Sequence, residues 1–234
     1  MPKGSRRTRG YLLAATVGLV ALTGCRTTVA GVPNAAPTGA GSAGAILPAQ
    51  LPDLLTPSAA LSVTPGFPLI ESDMHAALFV GADPAGCLGA TAYGTHPLFP
   101  PDYTGREART QQDAVHDQHQ LLEVSATYPR NFDAEAFLDS VRKQVTACQR
   151  TVTAWGADGK KLAVTTGPLL PAVPTVAHWT TRIIDDQWLC DFAVIAKANV
   201  VAQIVTCSSD RSIDNQKLVD QRLTKIDELL NSKA

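Results

Sequence analysis

Two runs of β-branched and apolar residues lie on either side of a Lys-Ala-Asn turn within positions 188–207. If the chain folds back at Ala198-Asn199, side chains alternate between the two faces and Cys190 lies opposite Cys207. Directly opposed residues of a non-hydrogen-bonded antiparallel pair are close enough for a disulfide. Asn199 tolerates the left-handed conformation of a tight turn, whereas Ala198 is a poor first turn residue, so a four-residue loop is an alternative. The pattern predicts a β-hairpin with these two cysteines paired.

Other β-rich runs predict four further strands, at positions 120–128, 149–155, 161–166 and 176–184. In the first of these strands, one face carries Leu122, Val124, Ala126 and Tyr128. The segment 95–112 is polar and predicts a long loop. Asp185-Asp186 lies between two strands and predicts a turn.

Apolar residues at helical spacing predict two longer helices. Asp133 caps the first, from Ala134 to Ala147, and the second closes the domain at 213–230. Ser72 is the predicted N-cap of a shorter helix. The inward stripes are Phe137, Leu138, Val141 and Val145 in the first helix, and Val219, Leu223, Ile226 and Leu230 in the last. Strands next to strands, with helices before, between and after them, predict a single α+β domain with an antiparallel sheet.

The N-terminus has the pattern of an export signal. Positions 1–10 carry four basic residues and no acidic one, and a largely apolar run follows at 11–22. A membrane-spanning helix needs about 20 residues, so we predict a cleaved signal peptide at 1–24; a retained membrane helix is the alternative. The tetrapeptide Leu22-Thr-Gly-Cys25 resembles the bacterial lipobox, in which the cysteine is lipidated. Cys25 is therefore the predicted lipid attachment site.

Lipidation of Cys25 also accounts for the odd number of cysteines, five in all. The other four are Cys87, Cys148, Cys190 and Cys207, an even set that suits an oxidising compartment. No Cys-x-x-Cys pair occurs, and the spacing is long, so we interpret all four as structural.

Residues 25–50 are rich in Ala, Gly, Pro, Ser and Thr, which predicts a flexible linker, with the folded domain at 51–234. Removal of residues 1–24 takes four of the 20 basic residues and none of the 21 acidic ones. The mature protein is therefore acidic, which argues against nucleic acid as a partner. Contact with the membrane is predicted to come from the N-terminal lipid, on the extracytoplasmic face of the cell membrane.

The order of these features resembles the PknH-like extracellular sensor domain of actinobacterial membrane Ser/Thr kinases, which also occurs alone on lipoproteins. The resemblance covers about residues 52–230, and no kinase catalytic motif is present. It rests on Cys87, Pro129, Ala136-Phe137, Cys148, Trp188-x-Cys190, Asn199-Val200-Val201 and Cys207. The resemblance implies the disulfide pairs Cys87–Cys148 and Cys190–Cys207, and a cleft that binds an unidentified ligand.

Motifs for nucleophilic, metal or phosphate chemistry are absent from the sequence. His116 and His119 could share a face and bind a metal on a helix, but on a strand they point in opposite directions, so a solvated loop edge is the interpretation we adopt. His96 is isolated, and His178 is interpreted as a packed or sheet-surface residue. No catalytic residue, metal or cofactor is predicted.

Trp155, Trp179 and Trp188 are the candidate ligand-binding residues, with burial in the core as the alternative. The leading hypothesis is a membrane-anchored lipoprotein with a non-catalytic, sensor-like ligand-binding domain. An envelope scaffold that binds other proteins is the second hypothesis, and a hydrolase is the third. An apolar pocket with a few converging polar groups favours the first, an exposed flat apolar patch the second, and a Ser-His-carboxylate geometry the third.

Overall fold

A computed structural model describes residues 44–64, 67–72, 79–96, 98–113, 118–171 and 173–232. The predicted signal peptide, Cys25, most of the predicted linker, the helix predicted after Ser72, and His116 lie outside the described residues. The strands are β1 Ser62–Thr64, β2 Phe67–Glu71, β3 Gly81–Asp83, β4 Gly105–Asp113, β5 His119–Thr127, β6 Thr151–Trp155, β7 Lys161–Thr166, β8 Val176–Ile183, β9 Leu189–Lys197 and β10 Val200–Ser208. The helices are α1 Leu88–Thr91, α2 Ala134–Ala147 and α3 Asn215–Asn231, with 3-10 helices at Pro48–Leu54 and Ala85–Cys87.

The strands form one antiparallel sheet in the order β1-β2-β4-β5-β10-β9-β8-β7-β6-β3. Helix α2 packs against β8 and β9 on one face, while α3 packs against β9 and β10 on the other. The central strand β10 is consequently buried along its whole length. Such double-sided burial explains why β9 and β10 have largely apolar sequences instead of a strict alternation. The predicted α+β class is confirmed.

Side chains of alternate sheet positions build a separate core on each face. The predicted face of β5, including Leu122 and Tyr128, belongs to the core under α2, together with Val141 and Val145 of that helix. Asp133 caps α2 as predicted, because its carboxylate accepts a hydrogen bond from Ala136 N at 2.9 Å. The core under α3 contains the predicted inward residues Val219 and Ile226, with Leu223 and Leu230 packed at its margin.

The predicted hairpin register is confirmed, since Lys197 pairs with Val200 and Cys190 pairs with Cys207. The turn has two residues, Ala198 and Asn199, and is not the four-residue loop that was the alternative. Its positive φ of 51° falls at Ala198. Asn199 has a different role from the one predicted. Its buried side chain accepts from Ile46 N and donates to Ile46 O, both at 2.9 Å, and so fastens the start of the domain to the hairpin tip.

Both predicted disulfides are present, Cys87–Cys148 and Cys190–Cys207, with Cα–Cα distances of 5.5 and 4.1 Å. The first joins the 3-10 turn before α1 to the C-terminal end of α2. The second crosses the centre of the sheet between β9 and β10.

Replacing Cys190 and Cys207 together by alanine is expected to lower the free energy of unfolding by about 3 kcal/mol, because a closed loop of this length restricts the unfolded chain by about that amount. Urea denaturation of the double variant measures the change. Non-reducing peptide mapping of the wild type checks the pairing, and a Cys87–Cys190 or Cys87–Cys207 peptide contradicts it.

The loop predicted at 95–112 is wrong over its second half, where β4 begins at Gly105. Strand β4 pairs with β5 through Gly105 to Gln112 and with β2 through Gln111 to Asp113. Its first residues, including Arg106 and Glu107, are largely exposed, so the strand has no apolar alternation that could reveal it. Main-chain pairing with the buried β5 determines its conformation instead. The short strands β1, β2 and β3 also lack such a signal.

Packing begins before position 51, the predicted start of the domain. The side chain of Ile46 is 1% exposed, and a 3-10 helix starts at Pro48. Among the described residues, no helix is long and apolar enough to cross a membrane.

Candidate functional site

A cavity of about 190 Å³ lies between the β7–β8 loop (167–175), strand β8 and the first turns of α3. Most of its wall is apolar, and three polar side chains enter from β8 and α3. The lining residues are Leu170, Pro171, Val173, Val176, His178, Gln216, Asp220 and Leu223. We call this the His178 cavity.

The strand alternation of β8 directs His178 into this cavity. Ala177 and Trp179 belong to the core under α2, whereas Val176 belongs to the core under α3, so His178 lies on the α3 face. Its Nε2 atom is buried and has no hydrogen-bond partner among the residues that the structure describes. Burial lowers the pKa of His178, and the Asp191 carboxylate and the Gln216 side chain offset part of that effect. The imidazole is therefore neutral near pH 7.

The loop that closes the His178 cavity is held from the opposite side by Arg142 of α2. One guanidinium nitrogen of Arg142 donates to the carbonyl oxygens of Val173 and Pro174 at 3.0 Å and of Val176 at 3.2 Å. The other nitrogen pairs with Asp139 at 3.0 Å. Because a charged group donates to these three carbonyls, the main chain from Val173 to Val176 is held without a contribution from a ligand.

A second cavity, of about 330 Å³, lies between α2 and the β9–β10 hairpin. It is larger, but its basic side chains already have partners. Arg142 is committed to the loop carbonyls, and Lys197 forms an ion pair with Asp227 of α3. The cations of the larger cavity are therefore committed to other contacts, whereas the His178 cavity contains a buried ring nitrogen without a hydrogen-bond partner among the described residues.

Comparison with known proteins identifies the domain. The sequence model of the PknH-like extracellular domain family matches residues 46–225. This chain belongs to that family. The crystal structure of the extracellular domain of PknH from Mycobacterium tuberculosis is similar in fold, with a TM-score of 0.66 and 19% sequence identity. The match covers 81% of this chain and 98% of that chain. Comparison with curated proteins finds no match.

Membership establishes a sensor-type extracellular domain of a non-catalytic family. The matched region starts at 46, the residue that Asn199 fastens to the hairpin, and it includes all four disulfide cysteines. Disulfides of this kind are stable in an oxidising, extracytoplasmic compartment.

The tryptophans predicted to contact a ligand do not line either described cavity of this PknH-like domain. Trp179 is 0% exposed, and its Nε1 donates to Ala90 O at 2.9 Å. Trp155 packs its ring over Gly81 of β3, where any side chain would collide with it. Trp188 is half-buried against the core under α2. The structure thus places Trp179 in the core, which was the alternative interpretation of all three.

His119 of the PknH-like domain is buried between two carboxylates, so its interpretation as a solvated loop edge is wrong. Its Nδ1 lies 2.6 Å from Asp113 Oδ2, and its Nε2 lies 3.2 Å from Asp210 Oδ1. Burial acts to raise the pKa of Asp210, but hydrogen bonds from Ser212 and His119 outweigh it and lower the pKa to about 2. With both ring nitrogens engaged by carboxylates, His119 has none left to activate a serine.

Within the residues that the structure describes, no group of three or more His, Cys, Asp or Glu side chains is arranged to hold a metal ion.

A buried ion pair connects the sheet of the PknH-like domain to α3. Glu123 of β5 and Arg222 of α3 are 1% and 6% exposed. The Glu123 carboxylate also accepts from Thr56 N at 2.8 Å and from Thr56 Oγ1 at 3.0 Å. Burial lowers the pKa of Arg222 and the Glu123 carboxylate offsets part of that effect. A guanidinium stays charged in a protein, so this is an ionic contact at neutral pH.

The lowered pKa of His178 makes a prediction about stability. A folded-state pKa below the unfolded value of 6.5 means that the unfolded chain binds more protons as the pH falls through that value. The stability of the folded domain is therefore unaffected by the protonation of His178 above pH 6.5 and decreases as the pH falls below that value. Between pH 7.5 and 5.5, wild type is expected to lose more stability than His178→Gln in urea denaturation. Parallel pH profiles of the two proteins contradict a buried, neutral His178.

Proposed function

We propose that this PknH-like domain is held at the extracytoplasmic face of the cell membrane by a lipid on Cys25 and binds a ligand in the His178 cavity without transforming it. The observation that carries the ligand site is the buried Nε2 atom of His178, which lacks a hydrogen-bond partner within the described ranges and lies in a largely apolar cavity. Apolar walls with a few converging polar groups are typical of small-molecule sites.

Two features of the scaffold support binding at this position. The disulfides lock the sheet and α2, and Arg142 fastens the loop above the cavity. A pre-ordered site loses little conformational entropy when a ligand binds, which increases affinity. Loops positioned by a rigid scaffold commonly carry recognition for this reason.

Native mass spectrometry of the protein purified from its own envelope tests the site. Wild type is expected to retain a ligand that His178→Phe loses, since phenylalanine removes both ring nitrogens and adds bulk at the wall of the cavity. His96→Phe is the matched control, because His96 is exposed and does not line the His178 cavity. Retention of the same ligand by His178→Phe, with the fold intact by circular dichroism, rules out the His178 cavity.

The lipid anchor has its own test. Replacing Cys25 by serine is expected to abolish lipid attachment and to release the protein from the membrane fraction, because stable anchoring depends on the acyl chains. Fractionation and intact-mass measurement of both proteins check this. A Cys25→Ser protein that fractionates and is processed like wild type contradicts the anchor.

One observation favours protein binding as the second candidate function. Leu170 and Val173 beside the His178 cavity are each 44% exposed. Exposed apolar side chains at the rim of a cavity are common in protein interfaces. Under this alternative, an apolar side chain of a partner protein occupies the cavity. Co-purification of a protein partner that depends on Leu170 and not on His178 supports it.

A further inference from the structure

The charged side chains that line the His178 cavity or influence the protonation of His178 are carboxylates. Asp220 of α3 is the charged residue among those that line the cavity, and His178 is the other ionisable one. Asp191 of β9 lies close enough to His178 to influence its protonation. Burial keeps the imidazole uncharged near pH 7, so no lining residue is a cation.

Two arginines on elements around this cavity have partners outside it. Arg142 approaches the loop from the α2 side, where it donates to three carbonyls and pairs with Asp139. Arg211 interacts with Asp191 and lowers the pKa of that carboxyl, against a larger rise caused by burial. Neither guanidinium lines the cavity. Among the lining residues, Asp220 is therefore the side chain that is charged near pH 7, and its carboxylate favours a cation over an anion at short range.

Among the polar groups that could meet a ligand, the Asp220 carboxylate only accepts hydrogen bonds, whereas the neutral imidazole of His178 has one donor and one acceptor nitrogen. Gln216 Nε2 donates to Asp220 Oδ1 at 2.8 Å. The carboxylate has a second oxygen and several lone pairs, and it has no proton to give. Within the described part of the chain, no hydrogen bond occupies Asp220 Oδ2. A ligand with an N–H or O–H group satisfies this arrangement, whereas another carboxylate does not.

The size of the cavity limits the ligand. Its volume of about 190 Å³ exceeds the roughly 150 Å³ of an engineered protein cavity that binds benzene. A six-membered ring with one short substituent therefore fits, and five of the eight lining residues are apolar.

We infer that the His178 cavity selects a compact apolar group with a protonated amine or hydroxyl head, and that it discriminates against carboxylates. The inference rests on the proposed function, since it assigns a ligand class to the same cavity. The apolar body lies against Leu170, Val176 and Leu223, and the head group donates to Asp220 at the α3 side. Free small molecules and the side chain of a bound peptide share this chemistry.

Three probes with a common benzyl body test the inference: benzylamine, benzyl alcohol and phenylacetate. Each is titrated into ¹⁵N-labelled protein at pH 7.4 and followed by amide chemical shifts. Benzylamine and benzyl alcohol are expected to shift resonances of β8, the β7–β8 loop and the start of α3. Phenylacetate is expected to bind about two- to fivefold more weakly than benzylamine, the effect of one exposed charge.

Variants in α3 test whether the charge of Asp220 determines which probe the cavity prefers. Asp220→Asn is expected to weaken benzylamine about two- to fivefold and to leave benzyl alcohol within twofold. Glu228→Gln, at an exposed site further along α3, is the matched control and leaves all three affinities unchanged. A short peptide with one lysine, compared with free benzylamine, distinguishes a partner side chain from a small molecule.

The possible outcomes separate the inference from the proposed function. Phenylacetate binding at the same residues as tightly as benzylamine overturns the ligand class and leaves the cavity as the site. An unchanged benzylamine affinity in Asp220→Asn does the same. If none of the three probes shifts these resonances, both the ligand class and the His178 cavity fail.

Discussion

Trp179→Ala is expected to lower the free energy of unfolding by about 3–5 kcal/mol, the usual cost of removing a large aromatic side chain from a core. The indole is fully buried at the centre of the core under α2 and stacks on Phe192 of β9, with ring centroids 5.3 Å apart. Its Nε1 hydrogen bond to Ala90 O ties β8 to α1. Alanine therefore leaves a cavity and an unpaired carbonyl in one step.

Urea denaturation of three tryptophan variants measures this effect with internal controls. Trp179→Phe keeps an aromatic ring but loses the hydrogen bond, so we expect a smaller loss. Trp188→Ala removes a half-buried side chain and is also expected to cost less than Trp179→Ala. A Trp179→Ala protein with wild-type stability contradicts the core assignment and reopens a ligand-binding role for this residue.

Glu123→Gln is expected to destabilise the domain by about 3–5 kcal/mol, because it leaves the buried guanidinium of Arg222 without a counter-charge. The loss extends beyond the ion pair. The same carboxylate accepts two hydrogen bonds from Thr56, and Thr56 O in turn accepts from Arg109 and Gln111 at 2.9 Å. One carboxylate therefore connects β5, α3 and the segment after the first 3-10 helix.

A double-mutant cycle distinguishes the ion pair from packing. Arg222→Met alone leaves the Glu123 carboxylate without a counter-charge and is expected to lower the free energy of unfolding by a similar amount. The double variant Glu123→Met/Arg222→Met is expected to recover part of the loss, since an apolar pair of similar volume needs no desolvation. Glu228→Gln in the exposed pair with Lys225 is the control, at no more than about 1 kcal/mol. Strict additivity of the two single variants contradicts a direct interaction between Glu123 and Arg222.

The sequence predicted those elements of the fold whose conformation is determined by their own local sequence. The hairpin register was predictable because Cys190 and Cys207 sit equally far from a two-residue turn, and the α2 cap because Asp133 precedes an apolar stripe. Strand β4 was missed because its conformation comes from its neighbours, not from its own polar sequence. The short strands β1, β2 and β3 were missed for the same reason.

The candidate site was harder to predict because its residues meet only in three dimensions. His178 looked like one histidine among apolar neighbours, and nothing in the sequence links it to Gln216 or Asp220, about 40 residues further along. The predicted tryptophans were chosen for their chemistry, yet Trp179 fills the core. Arg142 gave no signal, because its partners are main-chain carbonyls, whose positions depend on the folded loop. The burial of Glu123 and His119 likewise depends on helices and loops distant in sequence.

The fastening of Ile46 by Asn199 has a mechanical consequence. A pull on the chain before Ile46 is transmitted through the Asn199 amide to the hairpin tip, and that tip lies inside the covalent loop closed by Cys190–Cys207. The two disulfides enclose sequence separations of 61 and 17 residues. At about 3.4 Å per residue, roughly 260 Å of contour length stays unavailable to a stretching force until the disulfides are reduced. Under tension, the oxidised domain is thus a short, stiff element with its load applied to the centre of the sheet.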